Sequence, residues 1–142
     1  LQMSTKSSHD SLKRLVQLRL LMPDHSLVAR SFVEFIEHAA PFVFPASPGP
    51  VAGGVPTVSS APPLTEVFTA AEGELAFVWP DAEGSMRGAG IEPLHRSVPS
   101  IARTSPEFHA DMAVIDALRL QQPRIRREAR RVLRERFLDG DG

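Results

Sequence analysis

Proline decides where helices can stand in this chain. Its ring fixes φ and removes a backbone donor, so it is tolerated in the first turn of a helix and ends a helix elsewhere. Ser105 followed by Pro106 is an N-cap and first-turn pair; it predicts a helix to about residue 120 with Phe108, Met112, Ile115 and Leu118 inward. Pro123 opens another, in which Ile125, Ala129, Val132, Leu133 and Phe137 form one apolar stripe. Pro99 falls in the first turn of a short helix over 97–103. Pro41, by contrast, ends a helix that Ser31 caps and that runs to about residue 39, its stripe of Phe32, Val33 and Ile36 closed by Ala40.

Between these helices the chain is irregular. Residues 45–63 are rich in proline, glycine and serine and have no helical period. Two readings stand: a tether, or an ordered coil across the domain surface, which Val51, Val55 and Val58 favour. Gly49, Gly53 and Gly54 do not form a phosphate loop, because no Gly-Lys-Ser/Thr follows to bring a backbone nest and lysine together. FVF at 42–44 reads as a short buried strand, and 64–71 as a short helix. LAFVWP at 75–80 has strand composition, and 81–84 is a tight turn into 85–91, so the two predict a small hairpin. Trp79 reads as a core anchor, the alternative being an exposed docking ring. Arg87, Gly88 and Gly90 read as relief of a bend, the alternative being a backbone and cation brought close to a phosphate.

The first 21 residues, LQMSTKSSHDSLKRLVQLRLL, carry the clearest functional pattern. Ser4 and Thr5 are good N-caps, and Leu12, Leu15 and Val16 fall on one buried stripe that Leu1 and Met3 can close. Lys6, Ser7, His9, Lys13 and Arg14 remain outside it. Short hydroxyls near the helix start with cations further along suit a helix laid in the major groove, where the first side chains reach base edges and the later cations meet phosphate. The competing reading is an amphipathic helix packed on its neighbours. Pro23 and Asp24 mark a turn, with 25–28 as a return strand.

This segment resembles the recognition helix of bacterial winged helix-turn-helix regulators of the MarR-like type. The resemblance rests on Leu1, Gln2, Met3 and Ser4 leading into Leu12, Lys13, Arg14 and Leu15, with LVQLRLL continuing toward a first wing strand. A longer resemblance, carried by GVPT, APPL, VWP, EGSMRG, EPL, SVP and DALR, is to a group of uncharacterised proteobacterial proteins in which a winged helix precedes this same middle and tail. Together these imply an α+β, mainly helical chain: a partial winged helix-turn-helix over 1–44, a linker or ordered coil over 45–63, and a small α+β region over 64–142 ending in an arginine-rich helix. A reading helix needs bracing helices before it, so the resemblance also implies that the 142 residues are the later part of a longer protein, or that Met3 is an internal start. The implied groove contacts are Ser4, Thr5, Lys6, Ser7, His9, Lys13 and Arg14.

Composition narrows the alternatives. With no cysteine, disulfides, thiolate metal sites and cysteine nucleophiles are excluded together, which points to a cytoplasmic protein. No apolar run approaches the ~20 residues of a membrane span, so no membrane partner is expected. A formal net charge of −1 gives no whole-molecule attraction to nucleic acid, so any DNA contact must come from a local patch. Eight arginines lie between Arg119 and Arg136. Among them Arg124, Arg127, Arg131 and Arg134 are candidate secondary phosphate contacts. The competing reading is a solvated face partly neutralised by Glu128 and Glu135. Glu34 and His38, four apart, make half a metal site at most, and a surface pair is the commoner meaning. Neither a catalytic set nor a cofactor motif emerges: no serine sits in a GxSxG elbow, and His9, His25, His38, His95 and His109 show no ligand or general-base spacing. The chain therefore reads as a non-enzymatic, DNA-binding transcriptional regulator acting on double-stranded DNA, with a homodimer open through the stripe of the last helix. The alternative is a protein-interaction module, such as the antitoxin of a toxin-antitoxin pair, whose partner is encoded nearby.

Overall fold

A computed structural model describes residues 29–68 and 76–139. The groove residues Ser4 to Arg14 expected from the sequence, and the wing strands after them, lie outside the described residues. The described part is an α+β fold of helices and a small three-stranded sheet. Helix α1 spans Ala29–His38 and a single turn, α2, spans Ala40–Val43. The strands are β1 (Val51–Pro56), β2 (Ala76–Pro80) and β3 (Met86–Gly90). Then follow α3 (Val98–Ala102), α4 (Pro106–Arg119) and α5 (Pro123–Arg134), the last running into a π-helical turn at Glu135–Asp139. Among the described residues no helix is long and apolar enough to cross a membrane.

The sheet closes on itself. β1 is antiparallel to both other strands: its first half, Val51 to Gly54, pairs with Ala89 to Met86, and its second half, Gly54 to Pro56, pairs with Pro80 to Val78. β2 and β3 complete the ring by pairing parallel, Ala76 opposite Gly88 and Val78 opposite Gly90. Such tight closure brings backbones closer than a side chain allows. Gly54 stands where β1 changes partner, and a Cβ there would collide with the Trp79 carbonyl; one at Gly88 would collide with the Ala76 carbonyl. The hairpin expected over 75–91 is thus corrected. Both strands are present, but they run parallel, because β1, contributed by the proline- and glycine-rich stretch, takes the antiparallel place beside each. Asp81 holds the intervening turn, accepting the Glu83 N–H at 2.8 Å.

Residues 45–63 are accordingly ordered chain containing a strand, and Val55 and Val58 are buried. Val58 adopts φ 57°, a conformation costly for a β-branched residue, and its side chain is completely enclosed. The helix expected over 64–71 is a single 3-10 turn at Leu64–Glu66, with 69–75 outside the described residues. The buried strand expected at 42–44 is also corrected. Pro41 starts the turn α2 instead of ending structure, and Phe42, Val43 and Phe44 face solvent, Phe42 at 76% exposure. Ser31 does not cap α1, which already includes Ala29.

The helix starts in the second half are where sequence places them. Ser105 Oγ accepts the Phe108 N–H at 3.3 Å, so the cap satisfies one donor that the first turn leaves free. The inward set of α4 is wider than one stripe: every residue of 113–120 is buried, because the helix lies at the centre with α1, α2, α3, α5 and the 3-10 turn at Val58–Ser60 around it. Gln121, at φ 58°, ends α4 in the left-handed conformation and donates from its side chain to the Pro41 carbonyl at 3.0 Å. Helix α5 buries Ala129, Val132 and Leu133, with Ile125 and Phe137 partly covered; the Phe137 ring lies 5.1 Å from that of Phe32.

Candidate nucleic-acid interface

With the stripe of α5 turned inward, its arginines are forced outward. At 100° per residue, Arg124, Arg127, Arg130, Arg131 and Arg134 fall within about 120° of the helix circumference and span about 15 Å of its length. All five are exposed. Arg126 of α5 donates to the Glu37 carbonyl (2.9 Å) and Arg136 of the following turn to Asp111 (2.7 Å), so those two cations are consumed in packing.

Within the exposed set the environments differ. Arg134 grips Glu37 through two bonds, Nε to Oε1 at 2.7 Å and Nη2 to Oε2 at 2.9 Å. Glu37 is 1% exposed, so this pair fastens α1 to α5 and fixes the direction of the guanidinium. Arg131 sits between Glu128 and Glu135, at 3.1 and 2.8 Å, and these carboxylates push its pKa up. Arg124 lies over the Phe68 ring, 5.2 Å from its centre, a cation–π contact that leaves its charge unneutralised. Arg127 and Arg130 have no carboxylate partner among the described residues. The local pairing expected from Glu128 and Glu135 is present at Arg131.

A second polar cluster lies at the heart of the fold. Asp116, fully buried on α4, accepts from Trp79 Nε1 at 2.6 Å, from the Thr57 hydroxyl at 2.9 Å and from Arg119 Nη1 at 2.6 Å. Arg119 also donates to the carbonyls of Phe44 (2.8 Å) and Glu92 (3.1 Å). Burial pushes the Asp116 carboxyl above its ordinary value, and Arg119 and the three hydrogen bonds oppose that shift. The cluster joins α4 to four other chain segments, and both of its charged groups are sealed from solvent. Its role is to hold the sheet, the segment after α2 and the helices in one arrangement. Trp79 is thereby a core anchor, as its position beside strand residues suggested.

Other polar groups among the described residues are engaged in packing contacts. A cleft of about 300 Å³ is lined in part by Glu83, Arg103 and His109. Arg103 is held by Glu83 at 2.6 Å, and the His109 ring lies 2.6 Å from the Pro56 carbonyl and packs near Trp79. Glu34 and His38 are both exposed on α1, and among the described residues no three His, Asp or Glu side chains gather as a metal site.

Of the residues singled out by sequence, Arg124, Arg127, Arg131 and Arg134 are brought together on one face, whereas Ser4, Thr5, Lys6, Ser7, His9, Lys13 and Arg14 lie outside the described residues. Arg130 was missed, although its three-residue spacing from Arg127 carries the signal. Glu37 and Asp116 were missed because a carboxylate next to an apolar stripe looks like its solvent edge until the arginine that covers it is known. Comparison with protein families, curated proteins and solved structures finds no match to this chain.

Proposed function

We propose that the protein is a DNA-binding transcriptional regulator of the winged helix type, in which Ser4, Thr5, Lys6, Ser7, His9, Lys13 and Arg14 contact the groove. The observation that carries the reading is the segregation of charge: a chain of net charge −1 presents five exposed arginines on one arc of α5. A local cationic face in a near-neutral molecule is the electrostatic footprint of a phosphate-binding protein. The MarR-like pattern from Leu1 to Leu15 supplies the groove-reading half. Retention of promoter DNA from the protein's own gene, measured across a series of salt concentrations, tests it: affinity should fall steeply with salt and exceed that for a scrambled duplex. No retention at low salt, or no preference for the promoter, would sink the regulator reading.

A protein-interaction module of the antitoxin kind is the second reading, and the exposed run Phe42, Val43 and Phe44 favours it. Aromatic side chains held in water at a turn suit a protein contact. Co-purification with the adjacent gene product, lost on Phe42→Ser, is its expected result; a Phe42→Ser variant that keeps the partner would exclude this surface.

A further inference from the structure

We infer that the exposed arc of α5 is a clamp for the phosphate backbone of duplex DNA, independent of base sequence, with Arg124, Arg127 and Arg130 as its contacts. Arg131 and Arg134 act as cations held in place beside them. The inference rests on the regulator reading for its partner and adds a second, separable surface to it. Three features of the arc carry it.

First, the charges that remain unneutralised are adjacent. Arg131 is paired with Glu128 and Glu135 and Arg134 with Glu37, whereas Arg124, Arg127 and Arg130 face no carboxylate among the described residues. Removing counterions from phosphates is therefore the work of these three. Second, the face is stiff. The bidentate Glu37 to Arg134 pair and the Arg126 bond to the Glu37 carbonyl fix α5 against α1, so the arginines are displayed on a braced helix instead of a mobile tail. A braced helix loses less conformational freedom on binding. Third, among the described residues the arc presents no free aromatic ring on which an unstacked base could lie. Phe137 packs on Phe32, and Phe68 lies beneath Arg124. Single strands are held by base stacking as well as charge, whereas duplex phosphates need planar cations alone, and guanidinium matches phosphate oxygens two at a time. With about 9 Å between Arg124 and Arg130, the row can follow successive phosphates of one strand, which rise about 3.4 Å each along the duplex axis.

The magnitude follows from counterion release. Each phosphate neutralised steepens the dependence of log affinity on log salt by about 0.9, so one lost contact weakens binding about eightfold at 0.1 M salt if its contribution vanishes near 1 M. The Arg127→Ala/Arg130→Ala pair in the full chain should weaken binding roughly 60-fold at that salt and flatten the slope by about 1.8, equally for promoter and scrambled duplex. Arg96→Ala, an exposed cation outside α5, should leave the slope unchanged, and Trp79 fluorescence verifies that each variant is folded.

Unchanged affinity and slope in the double variant, with the wild type still binding duplex, would overturn the clamp and leave the regulator reading standing. A double variant that loses affinity in a protein with no promoter preference would support the clamp and remove the regulator reading. Loss confined to the promoter duplex would overturn the sequence-independent assignment, and polyglutamate competing as well as DNA at equal charge would overturn the assignment to phosphate. No duplex binding by the wild type would remove both.

Discussion

Two Asp–Arg pairs of nearly equal length should respond in opposite ways to loss of the carboxylate. Asp116 meets Arg119 at 2.6 Å and Asp111 meets Arg136 at 2.7 Å. The difference is burial: the first pair is 0% and 5% exposed, the second 34% and 29%. Asp116→Ala removes the acceptor for the Trp79 indole N–H, the Thr57 hydroxyl and Arg119 together. The Thr57 hydroxyl can rotate to another acceptor, but the indole N–H cannot. An unsatisfied buried donor costs about 1–3 kcal/mol, and a buried charge left without its partner about 3–5 kcal/mol. Arg119 keeps two carbonyl acceptors, so the lower part of that range applies, and the total comes to roughly 4–6 kcal/mol. Asp111→Ala exposes Arg136 to water and should cost about 0–1 kcal/mol. Urea unfolding followed by Trp79 fluorescence separates the two, since the one tryptophan of the chain sits in the cluster itself. A domain with about 5–15 kcal/mol of stability is brought near its threshold by the first change and hardly moved by the second. Asp116→Asn, which keeps the shape and one acceptor, covers the case in which the alanine variant does not fold and should fall between them. Equal midpoints for Asp116→Ala and Asp111→Ala would refute the reasoning that burial, and not distance, sets the value of these pairs.

Other consequences can be measured with the same assay. Because burial raises the folded-state pKa of Asp116, its contribution to stability is complete below the ordinary value of 3.8 and is lost as pH rises through the raised value. The advantage of wild type over Asp116→Asn should therefore shrink with rising pH above that point; an advantage that grows would mean Arg119 outweighs desolvation. Gly88→Ala places a methyl against the Ala76 carbonyl and should destabilise by about 2 kcal/mol or more, as expected of overpacking against backbone, and an unchanged denaturation midpoint would argue against the parallel β2–β3 pairing. Ser105→Ala, which removes the acceptor of the Phe108 N–H, should cost about 1 kcal/mol, and Ser105→Asp should restore most of it.

How much of this was legible beforehand divides by range. Capping and periodicity act over four or five residues, so Ser105, Pro106 and Pro123 place α4 and α5, and the stripe of Ala129, Val132 and Leu133 sets which side of α5 faces in. The outward arginine face follows from that alone, Arg130 included. The strand at 76–80 was legible for the same reason, its composition being local. Its partners were not. Whether β2 meets β3 antiparallel or parallel depends on β1, more than twenty residues away in a stretch that looks like a tether, and no pattern inside 75–91 records it. Phe42, Val43 and Phe44 show the converse, since an apolar run is consistent with burial only if some other element covers it, and none of the described elements does. Glu37 and Asp116 make the same point for charge. The sequence by itself determined where α4 and α5 begin and which side of α5 is apolar, because those depend on neighbouring residues. Only the tertiary structure decided which carboxylates are buried and which arginines stay free, because each of those outcomes requires a partner distant in the chain to arrive at hydrogen-bond distance.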